Sequence, residues 1–477
     1  MRRASKPGGI QDEVDGGGAV AVWRCRRSWL VLAALGLLAA ACLWLPVGGE
    51  AAAGLDGQKV RVGLGIMLCI GVLWMTEALP LAVTALFVPV LAVAFRVSEM
   101  KVALAGFADP LIFLFLGGFA LAAALRQQGL DRWFAGKLVA LGKGRFVSIA
   151  LLMFGGTAFV SMWMSNTATT AMMLPLALGV ISQLPDGPDK GRNTTFLLLG
   201  LAYAASIGGL GTVIGSPPNG IAAAQLGISF SGWMRFGVPA AILLLGAMSL
   251  ILYILLRPSG FLPGPLDEAG LVFNRARVAT LGIFACTSLC WIFSAEIGPL
   301  LGIGGSLDTL IALMAILALV FFRVVGWKEI EKGTSWGMLL LFGGGIALGG
   351  VLKETGASVF LARSLTTTIA GWPLVLIIAA AVAFVIFVTE LMSNTGVAAL
   401  FVPIFIAIAA ELNIGPLQLV APLALAASCA FMMPAGTAPN ALMFGTGLIT
   451  QRSMMKAGLV LNLAFIVILT GLALALF

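Results

Sequence analysis

The sequence predicts an all-α integral membrane protein of about eleven transmembrane helices plus two re-entrant helical hairpins, arranged as an inverted repeat. Three observations carry that prediction. Of the 477 residues 60% are hydrophobic and 10% charged, with a mean hydropathy of +1.07, so lipid rather than water must solvate most of the chain. A polar Ser-Asn-Thr triplet in an apolar frame occurs twice, at 165–167 and 393–395. The basic residues sort between alternate loops as a single orientation requires.

The elements follow in order. Residues 1–28 are polar, Gly-rich and basic and read as a disordered cytoplasmic tail. The apolar run 29–47 is longer than the core of a signal peptide and leads into no soluble domain, so it reads as the first spanning helix. Apolar segments near 62–76, 81–95 and 109–125 follow, then 126–145, where basic and apolar residues alternate at helical spacing as in a helix lying on the membrane surface. The first hairpin is placed at 146–182. A segment from 194 is broken at SIGGLGTVIGSPPNGIA (206–222), and a span at 233–256 completes the first repeat, 60–257.

After a cytoplasmic linker at 258–277, the second repeat (278–477) has the same order. It runs through spans near 278–296, 306–325 and 335–356, an amphipathic piece at 357–370, the second hairpin at 372–411, a segment broken at MMPAGTAPNALMFGTG (432–447) and a last span at 457–476. VSMWMSNTATTAMMLPLAL (160–178) aligns without a gap on VTELMSNTGVAALFVPIFI (388–406), and LGGFALAAALRQQG (116–129) on GGGIALGGVLKETG (343–356). Five crossings per repeat, an odd number, force the halves into opposite orientations. With the N-terminus inside, the loops at 1–28, 126–145, 183–193, 257–277, 323–333 and 450–456 hold 21 of the 28 Lys and Arg. The other 7 are Lys59, Arg61, Arg96, Lys101, Arg235, Lys353 and Arg363. This split puts the first hairpin on the cytoplasmic side, and the second hairpin and the C-terminus outside, in the cell (inner) membrane.

Ser, Asn and Thr are poor inside an apolar helix and good at its N-cap, so each triplet reads as the tip of a hairpin. The competing reading, polar kinks in ordinary spanning helices, suits one triplet better than a matched pair. Gly215-Ser216-Pro217-Pro218-Asn219 and Gly436-Thr437-Ala438-Pro439-Asn440 form a second matched motif, in which Pro ends one half-helix and begins another. Four helix N-termini then converge, each carrying about half a positive charge and unbonded N–H groups, enough to hold an anion without Arg or Lys. The free carbonyls and the Ser and Asn oxygens suit a small hard cation such as Na⁺. A bare dianion at mid-membrane would cost on the order of tens of kcal/mol, so a cation beside it is a physical need of the site.

Other chemistries find no support. There is no His, no Cys-x-x-Cys pattern among Cys25, Cys42, Cys69, Cys286, Cys290 and Cys429, and no cluster of carboxylates inside the spans. An enzyme, a zinc site and a disulfide framework are therefore not expected. The net charge of +8 is a topology signal and points to no nucleic acid. Polar positions cluster at one depth, whereas an anion channel needs a continuous polar pore. Glu390, three residues before the second triplet, reads either as a proton or cation ligand or as a carboxylate facing a vestibule or pairing with a scaffold residue.

Paired Ser-Asn-Thr tips followed by (Ser/Thr)-Pro-Pro-Asn-type breaks resemble the divalent anion:sodium symporter family, the sodium-coupled di- and tricarboxylate and sulfate carriers, over nearly the whole chain after about residue 60. The resemblance implies Na⁺-coupled symport of four-carbon dicarboxylates such as succinate, malate and fumarate, an elevator-type motion and a homodimer. It makes Ser161, Ser165, Asn166 and Gly215 the first Na⁺ site, and Thr389, Met392, Asn394 and Gly436 the second, Met392 and Gly436 through their backbone. It makes Ser165, Asn166, Thr167 and Ser216, with Ser393, Asn394, Thr395 and Thr437, the substrate contacts. Ala438 departs from the pattern where many dicarboxylate carriers have Pro.

Overall fold

The structure, a computed structural model, describes residues 16–142, 144–262, 272–303, 307–369 and 371–476. The first half contains α1 (Gly16–Trp44), α2 (Gly57–Thr76), α3 (Leu81–Ala94), α4 (Met100–Ala105), α5 (Pro110–Gln127), α6 (Leu130–Leu141), α7 (Phe146–Ser161), α8 (Asn166–Ser182), α9 (Pro188–Gly208), α10 (Pro217–Leu226) and α11 (Phe230–Leu256). The second contains α12 (Arg275–Ile292), α13 (Ser294–Leu301), α14 (Leu307–Phe321), α15 (Trp327–Gly333), α16 (Trp336–Glu354), α17 (Ala357–Thr368), α18 (Leu374–Thr389), α19 (Asn394–Glu411), α20 (Pro416–Ala426), α21 (Ala438–Phe444) and α22 (Gln451–Leu476). No β-strand occurs among the described residues. One isolated bridge, Arg145 with Phe261, ties the base of α7 to the chain leaving α11.

Among the described residues seven helices are long and apolar enough to span a membrane alone, α4 with α5 counted as one and α19 of the second hairpin included. That is fewer than eleven for physical reasons. α3 and α14 have 14 and 15 residues, short of the ~20 that a straight span uses. The expected span 278–296 bends by 81° between α12 and α13, and the segment containing α20 stops at Ala426, before its break. Residues 1–15 of the expected tail lie outside the described residues, and from Gly16 the backbone is already helical. Most of the expected linker, 263–271, also lies outside them. Outward side chains such as Leu250, Ile254, Leu317 and Val467 are 59 to 71% exposed, a surface suited to lipid or a packed partner and not to water.

The two halves pack by one rule applied twice. α5 of the first half lies against α14 of the second, and α16 of the second against α3 of the first. At the crossings an added Cβ on Gly117 would lie 2.6 Å from Ala312 Cβ, and one on Gly344 would lie 2.5 Å from Ala85 Cβ. Gly117 and Gly344 are aligned positions in the repeat, so the same residue permits the same close approach in both halves. In the interior α9 is the most enclosed long helix, with 94% of its span buried, and α7, α8 and α11 pack around it. α18 and α22 pack on α20 in the same way. Pro175 in α8 and Pro403 in α19 are aligned and both lie within their helices; Pro403 is buried among neighbouring helices and Pro175 is exposed.

Candidate functional site

Each tip and each break is built by local chemistry. α7 ends at Ser161, three residues turn, and α8 begins at Asn166 with Ser165 as its N-cap, its hydroxyl accepting the Ala168 amide at 3.3 Å. Ser393 occupies the corresponding N-cap position of α19. At the breaks, α9 runs into a 3-10 turn at Gly209–Gly211, and α10 starts at Pro217 after an extended Ser216. α21 starts at Ala438 after an extended Thr437, whose hydroxyl accepts the Asn440 amide at 3.3 Å. The two break asparagines, outside the site set read from the sequence, staple the carbonyls that the breaks release. Asn219 Nδ2 donates to Gly209 O at 2.8 Å and to Thr212 O at 2.7 Å. Asn440 Nδ2 donates to Ala430 O at 3.0 Å and to Met433 O at 3.1 Å.

All four helix starts face one cavity of about 530 Å³. From the first half Ser165, Asn166, Thr167, Gly215 and Ser216 line it. From the second come Met392, Ser393, Asn394, Thr395, Gly436 and Thr437. Ala438 lines it too. No Lys or Arg is among the lining residues, and the lining carboxylates are Glu77 and Glu390. Positive charge at the cavity is therefore limited to the partial charges of helix N-termini and free amides. Thr76, Glu77 and Met338 supply lining from outside the hairpins and breaks.

Ser161 and Thr389 do not line the cavity; both are 0% exposed, behind the tips. Ser161 Oγ lies 2.7 Å from Asn166 Oδ1 and 2.7 Å from Ala205 O. Thr389 Oγ1 lies 2.8 Å from Asn394 Oδ1 and 2.7 Å from Ala427 O. A hydroxyl has one hydrogen to donate, so each cluster has more oxygen lone pairs than protons to satisfy them. In the first cluster half a turn of the Asn166 amide lets its nitrogen donate to Ser161 Oγ at 2.7 Å, Ala205 O at 3.1 Å and Gly215 O at 3.2 Å. In the other rotamer four oxygens converge, the donor set of a hard cation. Ser216 is brought to the cavity wall, but it is 1% exposed and its hydroxyl lies 2.7 Å from Ser428 Oγ, turned away from the cavity.

Glu390 lines the cavity, in keeping with the vestibule-facing reading of it, but its carboxylate is taken up by amides. It is 6% exposed and accepts three main-chain amides and one side-chain amide: Phe431 N at 2.7 Å, Met432 N at 2.8 Å, Met433 N at 3.0 Å and Asn462 Nδ2 at 2.8 Å.

Two helical hairpins and two broken helices meeting end-on around one cavity define the class, a multi-pass membrane transporter. A family model described as "Citrate transporter" matches residues 71–401 and 309–477. An uncharacterized transporter of Haemophilus influenzae is 48% identical over 419 residues, covering 86% of this chain and 90% of that protein. The sodium-dependent dicarboxylate transporter SdcS of Staphylococcus saprophyticus is 34% identical over 447 residues, covering 85% and 84%. The solved structure of Neisseria gonorrhoeae MtrF, described with a class of antimetabolite efflux pumps, shares the fold with a TM-score of 0.55 at 13% identity, over 95% of this chain and 94% of that one. The chain belongs to the divalent anion:sodium symporter family, a family of transporters and not of enzymes.

Proposed function

We propose that this protein imports four-carbon dicarboxylates such as succinate, malate and fumarate together with Na⁺. One observation carries the reading: a cavity ringed by four helix starts and free of Lys and Arg is flanked by two matching oxygen clusters, at Ser161–Asn166 and Thr389–Asn394. The helix ends and the hydroxyls of Thr167, Thr395 and Thr437 hold the carboxylates. Na⁺ at the clusters supplies the charge that a buried dianion needs, and fixes Asn166 and Asn394 with their amide oxygens toward the ion. Substrate and cation therefore favour the same arrangement of the tips, which is coupling. Relatives described as sodium-dependent dicarboxylate transporters support the reading.

For the motion, the hairpins with α9, α10, α11, α20, α21 and α22 travel as one unit past the remaining helices, through which two copies associate as a homodimer. The N-terminus is cytoplasmic and the C-terminus outside, so the cavity mouth at Thr76, Glu77 and Met338 opens to the cytoplasm. If more Na⁺ charge moves than substrate charge, each excess charge contributes about 2.3 kcal/mol per 100 mV, and an imposed voltage changes the uptake rate.

The test is uptake of labelled succinate into proteoliposomes under a Na⁺ gradient. Uptake is expected with Na⁺ and not with K⁺, and Asn166→Ala or Asn394→Ala abolishes it in folded protein. Equal uptake without Na⁺ would make the protein an exchanger or a proton-coupled carrier, and normal uptake in both variants would remove the site. Transport of citrate or sulfate in place of succinate is favoured by the match to the citrate-transporter model and by Ala438 on the cavity wall. A competition panel of succinate, malate, citrate and sulfate decides between them, and non-saturable flux would mark a channel.

A further inference from the structure

We infer that Glu390 is a positioning residue, whose carboxylate shapes the unwound chain between α20 and α21 and so sets the second of the two proposed Na⁺ clusters. The inference rests on the reading of the site as a Na⁺-coupled carrier and deepens it.

The argument begins with an accounting of backbone N–H groups, which must be paired when buried. Between Phe431 and Gly436 the chain is Phe-Met-Met-Pro-Ala-Gly, with no side-chain oxygen of its own and a proline that lacks an N–H. Helix bonding has ended at α20, so the amides of Phe431, Met432 and Met433 point outward and in one direction. Glu390 takes all three, at 2.7, 2.8 and 3.0 Å. Successive amides aimed at one anion form the concave arrangement that backbone offers to negative groups. The carbonyls of the same stretch are held from other sides. Tyr203 Oη donates to Phe431 O at 2.8 Å, and Asn440 Nδ2 to Ala430 O at 3.0 Å and Met433 O at 3.1 Å. Asn462 of α22 supplies the fourth donor to Glu390 at 2.8 Å.

The first half solves the same problem in reverse. The aligned residue there is Met162, which has no charge. Thr212 of the break reaches to the main chain of the hairpin instead, donating to Met162 O at 2.5 Å and accepting Gly215 N at 3.1 Å. Hairpin and break are thus joined in both halves, once by a hydroxyl from the break and once by a carboxylate from the hairpin. The carboxylate lies directly beside the site backbone: a Cβ added to Gly436 would come within 3.2 Å of Glu390 Oε2. With four donors on its two oxygens Glu390 has little left to offer a cargo ion, so it acts through the chain it holds. Without it, Na⁺ at the Thr389–Asn394 cluster has to order that stretch on binding, which weakens binding but leaves turnover at saturating Na⁺.

The test compares Glu390→Gln with the unaltered protein in two measurements. Hydrogen exchange reads the amides of 431–433 directly and does not depend on any transport activity; these amides are expected to exchange at least tenfold faster in the variant. Succinate uptake in proteoliposomes is expected to show a half-saturating Na⁺ concentration raised at least fivefold, with at least half of the maximal rate kept at saturating Na⁺. Unchanged exchange, an unchanged Na⁺ half-saturation, or a loss of maximal rate alone overturns the assignment. If Glu390→Gln does not fold, Asn462→Ala, which removes one donor, decides by the same measurements with a shift of about threefold expected, and no shift overturns it. If the unaltered protein shows no Na⁺-dependent uptake, the functional reading falls while the exchange measurement still judges the clasp.

Discussion

At the scale of single residues the site is a problem of too many oxygens in too little space. Ser161 has one hydrogen for Asn166 Oδ1 and Ala205 O, and the backbone closes on them from the far side through Gly215. A Cβ on Gly215 would stand 2.5 Å from Gly209 O and 3.0 Å from Gly209 Cα. Both are main-chain atoms that cannot swing aside as a side chain can. Gly215→Ala is therefore expected to lower Na⁺-dependent uptake more than tenfold. Gly155→Ala, on α7 with nothing within 4 Å of the new methyl, is expected to stay within a factor of two. Parallel initial-rate assays check both, and a Gly215→Ala carrier with normal rates would contradict the packing described. Ser161 and Thr389, each five residues before its Asn, could be named in the sequence only through the family resemblance. The bonding of Glu390 could not be read there, because its partners are main-chain amides 41 to 43 residues away and a backbone N–H leaves no mark in a sequence. The turn of Ser216 toward Ser428 was hidden for a related reason, since either hydroxyl rotamer satisfies the motif.

At the scale of elements the informative feature is where helices stop. Pro217 and Pro439 announce the breaks, but not how the chain crosses them; the 3-10 turn at Gly209–Gly211 and the extended Ser216 and Thr437 are set by tertiary partners. Likewise the count of spanning helices was open to misreading. A segment such as α12 with α13 is continuous in hydropathy yet bends by 81°. Thr212 links the first break to its hairpin, so Thr212→Val tests how tightly these elements are joined. The change removes one buried hydrogen bond and leaves Met162 O without its donor, a cost of about 1–3 kcal/mol. It is expected to lower the melting temperature in detergent. It also reduces the extra stability that saturating Na⁺ confers, because a ligand stabilises only as far as it binds the folded state. Melting curves with and without Na⁺ check this, and an unchanged Na⁺ increment would separate the break from the cation cluster.

At the scale of the whole molecule the repeat and its charge pattern were legible, because periodic polar triplets and sorted Lys and Arg are one-dimensional signals. The packing of α5 on α14 and of α3 on α16 was not; it depends on Gly117, Gly344, Ala85 and Ala312 meeting, and small residues are too frequent in this chain to single these out. The proposed sliding of the hairpin unit makes a demand on such contacts: those between the unit and the rest must be able to break. Three stand out on the side of the first hairpin. Trp163 meets Phe284 of α12 with ring centroids 5.3 Å apart, Phe230 stacks on Trp291 of α12 at 5.0 Å, and Phe230 N donates to Asp308 Oδ2 of α14 at 2.7 Å. The aligned position in the second hairpin, Leu391, is 76% exposed. The two hairpins therefore stand differently toward their surroundings, although the repeat makes them equivalent in sequence. An elevator needs that asymmetry, since one end state engages what the other releases. A Trp163→Cys, Phe284→Cys pair in a background without the native cysteines should thus be joined by Hg²⁺ or a short bifunctional reagent. Joining is expected to stop succinate uptake, and a thiol to restore it. Uptake that continues in fully cross-linked protein would mean that α7, α8 and α12 move together, and the sliding boundary would have to lie elsewhere.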